Sequence, residues 1–185
     1  MGFIKKTGSV RQLMGNTQMS ANAAGYPVMC EESVMAPKAH GTCAAPVQSH
    51  LRWGCDVKTA DNICCFNRHY AEHSGYWTMK TSFLDEVSRT ETTTFYDSVT
   101  GKPLFKAPIG RSMDAFIAES KAHGWPSFRD EEVIWDNVRC LKNGEAISVD
   151  GTHLGHNLPD SSGNRYCINL VSVAGNPVDE AKAGL

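Results

Sequence analysis

No run of apolar residues in this chain approaches the roughly 20 needed to cross a bilayer, so a membrane span is not expected. Charge of one sign is also lacking: 18 Lys and Arg stand against 20 Asp and Glu, a net charge of -2. That balance leaves no basic footprint for nucleic acid and no disordered acidic tract. Met1 to Met14 carries basic residues but no apolar h-region, so no secretory signal is read there. Met1-Gly2 fails as a myristoylation start because the sixth residue is Lys6 rather than Ser or Thr. Lys5-Lys6 is too short a basic run to mean more than a solvated end. No internal repeat is visible. Paired Cys-x-x-Cys motifs, the usual sign of a structural zinc, are missing as well. These absences point to a reducing compartment, cytoplasmic or otherwise, with free or catalytic thiols.

What is present is an odd number of cysteines, seven, in 185 residues. At least one thiol is left over in any pairing scheme. A disulfide role for Cys30, Cys43 and Cys55 is the lesser alternative. The sharpest local signal is Arg165-Tyr166-Cys167-Ile168-Asn169, nine residues past His153-Leu154-Gly155-His156. The thiolate is the nucleophilic form of cysteine, and a neighbouring cation lowers the pKa that governs it. Histidine gives or takes a proton near neutral pH. The competing reading is a buried cysteine on an apolar strand. Cys167 and Asn169 alternate, so both are expected on one face of a strand.

Residues 1–48 are rich in Gly, Ala, Ser and Met without a sustained period, and are expected to form an extended or partly disordered arm. Met14, Met19, Met29 and Met35 scatter through it, as packing residues or as oxidisable groups. Residues 49–92 carry Trp53, Phe66, Tyr70, Tyr76, Trp77 and Phe83, and are expected to pack on the sheet that follows. Thr92 to Tyr96 and Pro103 to Lys106 read as strands around a turn at 97–101. Ser112 as N-cap, the apolar stripe Met113, Phe116 and Ile117, and Gly124 past the end predict a helix over 112–123. Val133 to Trp135, Val138 to Lys142, Glu145 to Val149 and Tyr166 to Val173 read as further strands. Asn143-Gly144 and Asp150-Gly151 are two-residue hairpin signals. Short strands with tight turns imply a mainly β, antiparallel domain, here bounded at 93–176 with a tail at 177–185.

Four stretches occur in an order that resembles the methionine-R-sulfoxide reductase family: Tyr96-Asp97-Ser98-Val99-Thr100-Gly101-Lys102-Pro103-Leu104-Phe105, Gly124-Trp125-Pro126-Ser127-Phe128, His153-Leu154-Gly155-His156 and Asn164-Arg165-Tyr166-Cys167-Ile168-Asn169. The resemblance covers residues 93–174. It implies antiparallel sheets in a tent- or sandwich-like arrangement with short helices. It also implies reduction of methionine R-sulfoxide, free or protein-bound, through a thiolate and a sulfenic acid, with no cofactor required. Cys167, His153, His156 and Asn169 fall on the catalytic positions and Trp125 on the methyl-binding wall. Arg165 is expected to favour the thiolate and Asp160 to orient an imidazole. Thioredoxin or another dithiol is the implied reductant.

The chain departs from the family in several places. The residue before Gly-Trp-Pro is His123, not the recycling cysteine, which leaves Cys140, Cys64 and Cys65 as candidate resolving thiols. The family's zinc pairs are reduced to Asp97, Thr100, Cys140 and Asn143, so that zinc site is read as absent. Ala174-Gly175 stands where an aromatic wall residue is expected, with Trp77 or Tyr76 as candidates to refill it. Separately, Cys55, Cys64, Cys65, His69 and His73 gather soft and borderline metal ligands. His69 and His73 would share a face if that stretch were helical, and zinc on Cys55, Cys64, His69 and His73 is the corresponding metal reading. A divergent member that binds or reduces another small sulfoxide, or a non-catalytic metal or binding module on the same scaffold, is the alternative function.

Overall fold

The computed structural model describes residues 18–178. Met14, the Met1-Gly2 start, Lys5-Lys6 and all but the first two residues of the 177–185 tail lie outside the described residues. The fold is mainly β. Strands β1 (Thr93–Tyr96) and β2 (Pro103–Ala107) pair antiparallel in one small sheet. A five-stranded antiparallel sheet holds β3 (Ser127–Phe128), β4 (Val138–Cys140), β5 (Glu145–Ser148), β6 (His153–Asn157) and β7 (Tyr166–Ile168), in the order β3-β7-β6-β5-β4. The helices are short: α1 (Val57–Asp61), which runs into a π-helical turn at Asn62–Phe66, then α2 (Tyr76–Met79), α3 (Phe83–Glu86) and α4 (Met113–His123).

α4 forms where its caps dictate. Ser112 Oγ accepts from the Ala115 amide at 3.1 Å, and Gly124 closes the helix in the left-handed region at φ 94°. Gly124 then releases the chain into Trp125-Pro126 and β3. The Ser127 amide donates to the buried Ser120 Oγ at 3.0 Å, which fixes β3 against the helix.

One aromatic core joins the two sheets. Phe105 stacks on Phe128 at 4.3 Å between centroids, and Phe95 meets Phe128 edge-on at 5.0 Å. Trp53 and Phe83 from residues 49–92 pack onto Phe95, and Trp77 packs on Phe83 behind them. Burial of each such side chain contributes roughly 1.5–3 kcal/mol. Phe66 and Tyr70 do not follow the expectation for that segment, at 56% and 54% exposed.

Two expected strands take another form. At 133–135 the chain makes only a single bridge, Val133 to Phe105, after a 3₁₀ turn at Asp130–Glu132. The Glu132 carboxylate accepts the Arg129 and Ile109 amides and folds the backbone back. At the other site, β7 stops at Ile168 and a 3₁₀ turn follows at Leu170–Ser172. The buried Glu72 carboxylate accepts the Leu170 and Val171 amides at 2.9 and 3.2 Å, diverting them from any sheet partner. Residues 28–30 lie parallel to β4, with Cys140 donating to Val28 and Cys30 donating to Cys140. This segment of the N-terminal arm covers an edge that would otherwise be open to pairing. Met35 is buried, and Met19 and Met29 pack on the core.

Candidate functional site

β6 carries the feature that makes a site. Side chains three apart on a regular strand face opposite ways, which would separate His153 from His156. The register shifts here: Glu145 pairs with His156 and Ala146 with Gly155, but Ile147 pairs with His153, so Leu154 is the extra residue of a bulge. Leu154 turns into the core, and both histidines line one cavity of about 350 Å³. Gly155 is required by the approach of β7, since a Cβ there would stand 2.0 Å from the Cys167 carbonyl oxygen. β7 places Cys167 directly opposite His156. Trp125 and Asn169 line the same cavity, as do Arg68, His69, Tyr70 and Leu158.

The Cys167 thiol is only partly exposed, and Ser127 lies opposite it on β3. Burial pushes its pKa above the ordinary thiol value, and Arg165 only partly offsets that rise. Arg165 is itself buried. Its Nε and Nη1 find no hydrogen-bond partner, and Asp160 stays 3.7 Å from Nε. Unfilled donors on a buried cation beside the sulfur favour a negative charge arriving there.

His153 Nδ1 lies 3.3 Å from Glu145 Oε1, at ion-pair distance but off the line of a hydrogen bond. Arg68 clamps Glu145 from the other side, with Nε at 3.0 Å and Nη2 at 2.7 Å, and also pairs with Glu32. Burial pushes the Glu145 carboxyl up, yet His153 and Arg68 prevail and hold it at about 2. It is therefore an anion at neutral pH, aimed at the ring of His153. Burial lowers the pKa of His156, which keeps that imidazole neutral near pH 7.

Glu72 knits the floor. Its carbonyl accepts the Trp125 indole N–H at 2.9 Å and its amide donates to Asn169 Oδ1 at 3.0 Å. Asn169 Nδ2 donates to the Leu154 carbonyl at 3.1 Å. Asn169 thus ties the Glu72 loop to the bulge, where the expectation was that it would hold a histidine or the substrate oxygen. Burial raises the Glu72 carboxyl to about 7 against the pull of its two amide donors. Glu72, Glu145, Arg68, Tyr70 and Leu158 were not among the residues anticipated for the site. The odd three-residue spacing of the histidines around a glycine is the signal that would have revealed the bulge. The long-range partners Glu72, Glu145 and Arg68 leave no local trace.

Several expectations are corrected. Asp160 orients neither cavity histidine: its carboxylate accepts from Arg129 at 3.0 and 2.9 Å and from the Ser162 amide, and Arg129 holds it at about 2. Trp77 is fully buried in the core and the Tyr76 hydroxyl accepts the Asp56 amide, so neither refills the cavity wall. Tyr70 and Leu158 stand there instead. Cys140 is fully buried three strands away from Cys167, with its thiol pushed up to about 12 by burial. Cys64 is sealed in the core with its thiol on Ser172 Oγ at 3.6 Å, and Cys65 is buried. The stretch from 67 to 73 is a turn and irregular chain, so His69 and His73 share no helix face. His69 lines the cavity while the exposed His73 bonds the Ser74 carbonyl. Cys55, Cys64, His69 and His73 are not gathered into one ligand group. Asp97, at the position of a family zinc ligand, spends its carboxylate on Thr152 Oγ1 and the Val99 and Thr100 amides.

Among the described residues no helix is long and apolar enough to cross a membrane. No protein-family model matches the chain. It is 37% identical over 90 residues to the peptide methionine sulfoxide reductase MsrB of Staphylococcus saprophyticus subsp. saprophyticus, covering 43% of this chain and 58% of that protein. It is also 37% identical over 97 residues to the protein of the same name from Staphylococcus haemolyticus, covering 46% of this chain and 63% of that protein. The chain thus spans about three-fifths of the length of these relatives. The mainly β architecture, with antiparallel sheets of two and five strands, is consistent with a fold like theirs. The sequence bears a partial resemblance to the methionine-R-sulfoxide reductase family.

Proposed function

We propose that this protein reduces the R epimer of methionine sulfoxide, free or within peptides, with Cys167 as nucleophile. The observation that carries this reading is the cross-strand pairing of Cys167 with His156 inside a cavity walled by Trp125. Sulfoxide reduction needs a nucleophile for sulfur, a proton for the departing oxygen and an apolar seat for the methyl group. The Cys167 thiolate attacks the sulfoxide sulfur while a histidine protonates the oxygen. The oxygen ends on Cys167 as a sulfenic acid, and methionine leaves. His153, with its Nδ1 held 3.3 Å from the Glu145 carboxylate, is the histidine placed to donate the proton. Trp125 and Tyr70 seat the methyl group, and the exposed Tyr70 and Leu158 leave the cavity open to a flanking chain.

The enzyme is then restored by an external dithiol such as thioredoxin. One thiolate attacks the sulfenic sulfur and releases water, and the second resolves the mixed disulfide, leaving Cys167 reduced and the dithiol oxidised. The steady-state assay uses both epimers of a blocked methionine sulfoxide with dithiothreitol. Turnover confined to the R epimer, and abolished in Cys167→Ser, supports the reading. Equal turnover of both epimers, or normal activity in Cys167→Ser, overturns it.

A further inference from the structure

A second chemical cluster lies outside the cavity, at the turn His40-Gly41-Thr42-Cys43. The His40 amide donates to the Cys43 carbonyl at 2.8 Å, and the Cys43 amide returns a bond to the His40 carbonyl at 3.0 Å. The turn is clamped onto the π-helical segment, since the Thr42 amide donates to the Cys65 carbonyl at 2.8 Å. Gly41 permits that approach, because a Cβ there would sit 1.9 Å from the same oxygen. The wide turn Asn62–Phe66 separates the two neighbouring cysteines: the Cys64 thiol points to Ser172, while the Cys65 thiol lies beside Cys43, whose own thiol donates to the Cys64 and Gly151 carbonyls at 3.4 and 3.7 Å. Single-turn π segments are frequent at functional sites. His40 Nε2 lies 2.9 Å from both Asp61 oxygens. Ligand atoms of His40, Asp61 and Cys65 all fall within 4.8 Å of one another. The His40–Asp61 pair is partly buried and the two cysteines are fully so.

We propose that His40, Cys43, Asp61 and Cys65 form a structural zinc site, with two thiolates, one imidazole and one carboxylate around the ion. Zinc bonds of about 2.0–2.3 Å to N, O and S put tetrahedral ligand atoms roughly 3.3–3.8 Å apart, so closure asks for shifts of about 1 Å among His40, Asp61 and Cys65, and for the Cys43 thiol to turn in from the Cys64 and Gly151 carbonyls. The spacings are His-x₂-Cys from one turn and Asp-x₃-Cys from the next, which joins two segments as structural zinc does. The segment thus fixed leads directly into Arg68, His69 and Tyr70, which line the cavity. The zinc therefore acts as a brace behind one wall of the site and takes no part in chemistry. Binding releases the thiol protons, so affinity falls as pH falls.

The test uses the full chain. Metal content is measured by plasma mass spectrometry after purification without chelator, and again after chelation and reloading with zinc. About one zinc per chain is expected in the loaded protein. Cobalt in its place gives a thiolate-to-metal charge-transfer band and tetrahedral visible absorption. Cys43→Ser and Cys65→Ser each weaken that band and the double variant abolishes it, and His40→Ala and Asp61→Ala weaken affinity by about tenfold or more. Cys30→Ser leaves both unchanged. Three results overturn the site: no metal retained after loading, a cobalt spectrum without thiolate charge transfer, or a Cys43–Cys65 disulfide in freshly purified metal-free protein. Should the cysteine variants fail to fold, the partly exposed His40→Ala and the wild-type cobalt spectrum decide it. Full affinity in His40→Ala removes the proposal.

Discussion

At Cys167 two effects oppose each other: burial favours the neutral thiol, and the Arg165 charge favours the thiolate without prevailing. The resting nucleophile is therefore mostly protonated near neutrality, and the rate limited by thiolate rises with pH. Arg165→Met removes the offset. Its kcat/KM profile is expected to shift to alkaline pH by about one unit or more, with Arg165→Lys recovering part of the shift. An unchanged profile would show that Arg165 does not act on the sulfur. Glu72 is the second such residue. Its folded pKa of about 7 lies above the unfolded carboxylate value, so the contribution is complete below about pH 4 and is lost as pH rises through 7. The loss amounts to about 3 kcal/mol across that window. Denaturant titrations of wild type from pH 5 to 8 should show this decline. Glu72→Gln should start less stable, because its amide N–H₂ meets a backbone N–H, but with a flatter slope. A parallel slope would contradict the assignment.

Among the elements, the β6 bulge matters most. It converts an odd spacing into two histidines on one side, and Gly155 admits β7 close enough to bring Cys167 across from His156. Gly155→Ala forces β6 and β7 apart, and is expected to cost roughly 2–4 kcal/mol in chemical denaturation and to depress kcat. Wild-type stability and turnover would show that the strands tolerate the methyl. α4, the β1–β2 turn and the β4–β5 hairpin were legible, because caps, turn residues and alternation are local signals. The strand ends at 133–135 and 169–173 were not. There Glu132 and Glu72 capture backbone amides, in Glu72's case from about a hundred residues away. No pattern within either segment encodes that.

For the whole molecule, the topology decides how the site is renewed. Cys140 lies three strand spacings from the β7 row, roughly 14 Å, while a disulfide needs Cα atoms about 4.4–6.8 Å apart. Cys64 and Cys65 are held in the core and at the His40 turn. Peptide mapping after oxidation by substrate should therefore find no disulfide from Cys167 to Cys140, Cys64 or Cys65. The motifs in the 93–174 region were legible as a site, since its residues sit on adjacent strands. The contribution of residues 68–72 was not, because that loop reaches the cavity only through tertiary packing. The most direct measurement is a single turnover without reductant: protein is mixed with the R epimer of a blocked methionine sulfoxide, and a sulfenic-acid trap is added. About one methionine per chain, with one trapped adduct confined to Cys167, is the predicted result. Methionine formed with Cys167 unmodified, or no methionine at all from folded protein, would contradict it.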